Sequence, residues 1–329
     1  MDSLTQAALG ATIAGVCAPA GHRRKALLAG AALGTLPDLD VAIRYGDAVK
    51  NFTFHRGFSH SLFVLAPLSA ALWVLLRRWW APVREAPLPW FAAISFALIT
   101  HPLLDAHTAY GTQLFWPLQS PPVMWSTLFI IDPLYTLPLL IAVIVAAMRP
   151  GVRRAGTALL AGLALSNAYL AWSWVGKIRV ESDARKELAG HGLADAPLFS
   201  GPTPFNTLLW RVVVLTEGGY LEGYDSLLVD DHPIRFEFYP SDNSSLQAAS
   251  NVWAVARLRW FAQDFLKTEV RDNRLVLTDL RMGAEPTYVF SHVVAETGNP
   301  HWQPIPTELI PASFRRGDLD AFLRQFWKE

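Results

Sequence analysis

The sequence predicts a membrane-embedded all-α bundle of about six helices over residues 1–176, followed by an extramembrane α+β domain over residues 177–329. Two observations predict it. As far as Val175 the chain is a succession of apolar runs punctuated by Pro, Gly and short arginine clusters, the pattern of spans joined by loops. From Lys177 those runs stop and segments of alternating apolar and polar residues replace them, which is the period of a half-buried strand.

The first run, Leu4 to Ala20, is apolar apart from Thr5, Gln6 and Thr12, and His22-Arg23-Arg24-Lys25 follows it. A secretory leader carries its cations before the apolar stretch. Here Asp2 precedes it, so the run reads as a retained helix although Ala18-Pro19-Ala20 imitates a cleavage site. Ala26 to Leu36, rich in Ala and Gly, suits close helix packing and is closed by Pro37-Asp38. Leu62 to Leu76 ends at Arg77-Arg78; Pro89 to Leu104 follows; Ile131 to Met148 ends at Arg149; Ala155 to Val175 follows Arg153-Arg154. Of these runs, four come near the ~20 residues a bilayer core requires and two are shorter.

Lys and Arg are retained on the cytoplasmic side of a membrane. They cluster in alternate loops, at 21–25, 77–88 and 149–154, while the stretch from Asp105 to Ile131 contains none. This predicts a multi-pass membrane protein with its amino terminus and carboxy-terminal domain on the side away from the cytoplasm. In the latter domain, Trp210 to Leu215, Ile234 to Tyr239, Arg274 to Asp279 and Tyr288 to His292 read as strands, and the aromatic-rich Leu246 to Phe265 as helical.

The formal charge is zero and no local basic run restores a positive field, which excludes nucleic acid as a natural partner. Cys17 is the only cysteine, so neither an intrachain disulfide nor a thiolate zinc site can form. Any metal must be held by imidazole and carboxylate.

Such groups converge. The predicted topology brings Asp38, Asp40, His55, His60, His101, Asp105 and Asp132 to one membrane face, and Asp2 with them. Ionisable residues at the ends of membrane-length segments are costly and mark function. His101 and Asp105, four apart on a helix, share a face. Asp38 and Asp40 share one if extended, and Gly57 allows a turn that gathers His55 and His60. The metal ligands expected are therefore Asp38, Asp40, His55, His60, His101 and Asp105. Three imidazoles with carboxylates suit zinc, with manganese or iron next, and a bound ion of this kind activates water for hydrolysis. Asp40 and Arg56 are the expected catalytic groups; the guanidinium could hold a phosphate, anchor a lipid headgroup or simply pair with an aspartate. Which carboxylate is ligand and which is base stays open. Asp132, ahead of Pro133, also suits a helix cap. His22, His191, His232, His292 and His301 read as structural or solvated.

Pro37-Asp38-Leu39-Asp40, His55-Arg56-Gly57-Phe58-Ser59-His60-Ser61, and His101 with Asp105, Thr108, Gly111, Leu114, Trp116 and Pro117 resemble the motifs of the YdjM-like family of bacterial inner-membrane metal-dependent hydrolases over roughly residues 1–140. That family is similar, more distantly, to zinc-dependent phospholipase C and P1-type nucleases. The resemblance implies metal-dependent hydrolysis of a phosphoester or related bond in the bacterial inner membrane, while the site's place at the membrane surface, on the periplasmic side, suggests membrane lipids as neighbours and an amphiphilic substrate such as a lipid. Family members often carry His where this chain has Gln6, so one ligand is expected to be missing or supplied by Asp2. Two other readings compete: a non-catalytic scaffold with a structural metal site, and a metal-ion transporter, which the scarcity of ionisable groups in the cytoplasmic halves disfavours. Deleting the domain after Val175 is expected to alter specificity more than metal content.

Overall fold

The computed structural model of the chain describes residues 1–149, 153–228 and 233–312. His232 and the centre of the 149–154 loop lie outside the described residues. The chain divides into two units: one of Met1–Ile43, His55–Gly176 and Pro204–Thr207, the other of Arg44–Phe54, Lys177–Thr203 and the residues from Leu208 onward. Residues 44–54 thus leave the helical unit and belong to the second.

The helical unit is built on α1, Ser3–Cys17, which is buried around most of its circumference, as befits a helix apolar on every side. Asp2 caps it, accepting from the Leu4 and Thr5 amides. α2, Arg23–Thr35, lies against α1 backbone to backbone. A Cβ on Gly10 would stand 2.2 Å from the Gly30 carbonyl oxygen, and one on Gly34 would stand 2.5 Å from the Gln6 oxygen. Small residues at these positions are what permit the approach.

A 3₁₀ turn, Pro37–Ala42, follows α2, and α3, Ala48–Phe54, comes next in sequence but in the other unit. α4 is Leu62–Trp79, capped by Ser61 and closed by Arg77 and Arg78. Short α5, Ala81–Glu85, leads into α6, Pro87–Asp105, whose buried face carries Trp90, Ile94, Leu98, His101 and Asp105. α7 is Pro133–Met148 and α8 is Arg153–Ala189. All six apolar runs are therefore helical, but among the described residues 3 helices, α4, α6 and α8, are long and apolar enough to cross a membrane; α1 and α7 are apolar and shorter. The expectation of about six spans reduces to three candidates. Ala26 to Leu36 falls short because α2 starts with Arg23-Arg24-Lys25, which leaves too little hydrocarbon for a span.

The second unit is sheet-rich. β1, Leu198–Pro202, β2, Leu209–Thr216, β3, Gly219–Ser226, and β4, Glu237–Pro240, form an antiparallel sheet in that order. Two helices follow, α9, Asn243–Ala248, and α10, Trp253–Ala262. Then come β5, Leu266–Arg271, β6, Arg274–Asp279, a short β7–β8 pair at Gly283–Ala284 and Thr287–Tyr288, β9, Ser291–Glu296, and β10, Gln303–Ile310. The second sheet has the order β10-β9-β6-β5. Val180, Ala184 and Leu188 at the end of α8 pack on Trp210, Val212 and Val214 of β2. α3 is held inside this unit: Phe52 meets Phe261 at 4.9 Å and Phe290 at 4.6 Å, and Arg257 donates Nε to Thr53 Oγ1 at 3.0 Å.

Candidate metal centre

Four side chains place one donor atom each around a common point: Asp38 from the 3₁₀ turn after α2, His60 from the 3₁₀ turn Phe58–His60, and His101 and Asp105 from the end of α6. The His60 and His101 Nε2 atoms are 3.1 Å apart. Asp38 Oδ1 lies 3.5 Å from the first and 3.4 Å from the second, and Asp105 Oδ2 lies 3.2 Å and 3.4 Å from them. A tetrahedral shell with ligands at ~2.0–2.1 Å has edges of about 3.3–3.4 Å. The donors thus fit a first-row divalent ion. Asp105 Oδ2 is buried and makes no hydrogen bond, as a carboxylate oxygen reserved for a cation would be.

The surrounding hydrogen bonds fix which nitrogen of each ring carries its proton. His101 Nδ1 lies 2.6 Å from the Gly34 carbonyl, which can only accept, so Nδ1 donates and a neutral ring turns a lone pair inward at Nε2. The backbone contact of α1 with α2 is what fixes the place of that carbonyl. For His60 the relay is longer: Ser59 Oγ donates to Asp40 Oδ2 at 2.6 Å, and so accepts from His60 Nδ1 at 2.9 Å. Here too Nε2 is left as the acceptor.

Asp40 and His55 stand beside the four donors and outside them. Asp40 Oδ1 takes a 2.7 Å hydrogen bond from His55 Nδ1, and Oδ2 accepts from the Arg56 amide as well as from Ser59. Burial raises the Asp40 carboxyl, but the His55 and Ser59 hydrogen bonds more than offset it and hold it below the usual carboxylate range. The His55 ring remains partly exposed, 6.0 Å from the His60 ring and 5.5 Å from that of Tyr110.

Arg56 is buried. Its Nε lies 3.3 Å from Asp105 Oδ2, its Nη1 donates to Thr108 Oγ1 at 3.0 Å, and its guanidinium sits 5.1 Å over the Tyr110 ring. The turn gathering the motif puts Arg56, rather than Gly57, in the left-handed region, at φ 56°. Gln6 Nε2 donates to Asp105 Oδ1 at 3.0 Å and to the His101 carbonyl at 3.1 Å; the Met1 amine also bonds Asp105 Oδ1. Gln6 therefore holds a ligand instead of replacing one.

Asp2 is spent on the α1 cap and does not join the cluster. Asp132 caps α7 and accepts from Tyr169 at 3.0 Å, while His107 is buried against Trp125. Sequence reasoning missed Gln6 as a ligand support, Ser59 as a relay and Gly34 as an acceptor. The Gly30-x₃-Gly34 spacing was the available signal for the third.

No solved structure matches the chain. It is 37% identical over 91 residues to the inner membrane protein YbcI of Escherichia coli K12, a match covering 27% of this chain and 51% of that protein, so it spans about half the length of this curated relative. The family model described as YdjM inner membrane protein matches residues 1–180, more than half of the chain, and the protein accordingly belongs to the YdjM inner membrane protein family.

Proposed function

We propose that this is a membrane-bound metal-dependent hydrolase acting on a phosphoester or lipid-like substrate, with the metal centre and the sheet-rich unit on the periplasmic side. The observation that carries the reading is the convergence of one donor atom each from Asp38, His60, His101 and Asp105 within 4.8 Å of one another, with Asp38 partly exposed. Zinc suits two imidazoles and two carboxylates, and manganese or iron follow. A divalent ion bound there supplies Lewis acidity toward the scissile bond and lowers the pKa of water.

The chain's own residues supply the rest. His55, with Nδ1 bound to Asp40, presents its other nitrogen on a partly exposed ring beside the ligands. It acts as the group that accepts and returns a proton, oriented by Asp40. Arg56 offsets the charge of buried Asp105 and keeps Oδ2 aimed at the centre. Asp38, the most exposed of the four donors, is the side from which a substrate oxygen approaches.

One feature favours a second reading. Four protein donors fill a tetrahedral shell, as structural sites do, whereas catalytic sites keep a position open. A scaffold with a closed metal site follows if Asp38 never yields its place. The test is metal content of detergent-purified protein by mass spectrometry, beside His60→Ala and Asp105→Ala, followed by cobalt substitution and hydrolysis assays on aryl phosphodiesters and phospholipids. We expect one equivalent of metal in the wild type, its loss in both variants, and a cobalt spectrum that changes on adding phosphate. Absence of metal after reconstitution sinks both readings; a metal that is bound but blind to phosphate, without hydrolysis, selects the scaffold.

A further inference from the structure

We propose that the groove between α1, α2 and α7 binds an acyl chain of an anionic phospholipid, with the headgroup phosphate held by Arg24. The groove has a volume of about 380 Å³ and is walled by Leu4, Ala8 and Ala11 of α1, Leu28 of α2, and Val143 and Ala147 of α7. It exists because α1 and α2 meet through glycine backbones, while the alanines beside that seam are too short to fill the space that α7 bounds. Apart from Arg24, every side chain lining it is hydrocarbon.

Arg24 lies in the first turn of α2 and donates Nε to the Ala147 carbonyl at 3.2 Å, at the end of α7. Its side chain is exposed and has no carboxylate partner among the described residues. Lys25 is exposed beside it. Gly10 lies against Gly30 and Gln6 against Gly34, so α1 and α2 run antiparallel and the lining from Leu4 to Arg24 follows about 18 Å of helix axis. One leaflet of hydrocarbon is about 15 Å thick. An apolar channel about as long as a leaflet is deep, ending in an unneutralised cation at the basic end of α2, matches an amphiphile with an anionic head. A second apolar helix laid in the same groove would leave the Arg24 charge uncompensated. The inference is independent of what the metal centre does.

The test uses the full chain in non-ionic detergent, offered equal amounts of dioleoyl-phosphatidylglycerol and dioleoyl-phosphatidylcholine, with retained lipid counted by native mass spectrometry. The wild type should favour phosphatidylglycerol by about fivefold, the effect of one basic side chain at a membrane surface. Arg24→Gln should bring the two lipids to parity, and Ala7→Leu, which narrows the groove, should reduce retention of both. Arg78→Gln and Ile141→Trp, away from the groove, should leave the preference unchanged. Millimolar inorganic phosphate should not displace the lipid; displacement would make this a free-phosphate site and overturn the proposal. So would an Arg24→Gln protein that keeps the preference, and this exposed substitution decides the matter even if Ala7→Leu does not fold.

Discussion

The Nε2 atoms of His60 and His101 face each other at 3.1 Å, although each ring's Nδ1 is engaged as a donor. Two neutral imidazoles held in this way direct two lone pairs at one point, together with a carboxylate oxygen that has no hydrogen bond. A divalent cation at that point would satisfy all of them. Arrangements of this kind depend on the groups behind the ligands as much as on the ligands.

Ser59 provides the first test. It connects Asp40 to His60 Nδ1, and Ser59→Ala leaves that nitrogen without its acceptor while every donor to the metal stays in place. Loss of such a partner weakens metal affinity by about 10–100-fold. Competition with a chromophoric chelator should find the variant in that range and His60→Ala without measurable binding. Wild-type affinity in Ser59→Ala would show that the relay does not orient the ring.

The backbone of α2 sets a second prediction. A Cβ at residue 30 would meet the Gly10 carbonyl oxygen at 2.2 Å and the Ala14 Cβ at 2.6 Å, so Gly30→Ala must separate α1 from α2 and shift the Gly34 carbonyl away from His101. Overpacking of this type costs about 1–3 kcal/mol. Thermal unfolding in detergent should show the loss, and metal affinity should fall with it. Gly21→Ala, where a Cβ meets nothing within 4 Å, should alter neither.

A third prediction concerns residues 44–54, which run between Asp40 and His55 in sequence but belong to the sheet-rich unit. The sequence suggested that the carboxy-terminal domain affects specificity more than metal content. α3 belongs to that unit while both flanks of its segment carry residues of the site, which predicts an effect on metal content as well. Phe52→Ala removes a ring packed on Phe261, Phe290 and His292, at a cost of about 3–5 kcal/mol. Metal affinity should weaken along with the stability of the sheet-rich unit. An unchanged chelator titration would show that the two are uncoupled.

The helices and the site were legible for one reason: apolar runs closed by Pro or Arg, and His and Asp at their ends, carry their meaning locally. Strands such as β2 and β6 were legible from their Val and Leu content. β1, with Gly201 and Pro202, and β3, with Gly219 and Gly223, have no such signal and become strands by pairing with β2. β5 was missed although Asp272 and Asn273, both at positive φ, form the two-residue turn that joins it to β6. Gly34 and Ser59 were hidden for a different reason. A backbone acceptor and a relay hydroxyl gain their roles only when distant segments meet.

The last prediction lies in the sheet-rich unit, where His292 of β9 is buried among Leu277, Phe52 and Leu309 and its Nδ1 has no hydrogen-bond partner. Burial pushes its pKa down from 6.5 to about 4, against the smaller opposing pull of Asp279 and Asp47. Between these values the unfolded chain binds a proton that the folded one refuses, so stability rises with pH across the window. The contribution is fully present above pH 6.5 and is lost as the pH falls toward 4, amounting to at most about 3.5 kcal/mol at 1.4 kcal/mol per unit. Hydrogen exchange of β6 and β9 amides in the intact protein should show protection declining through that range. His292→Leu keeps the volume and removes the titration, and its protection should be flat there. A variant with the wild-type slope would assign the acid sensitivity to other groups.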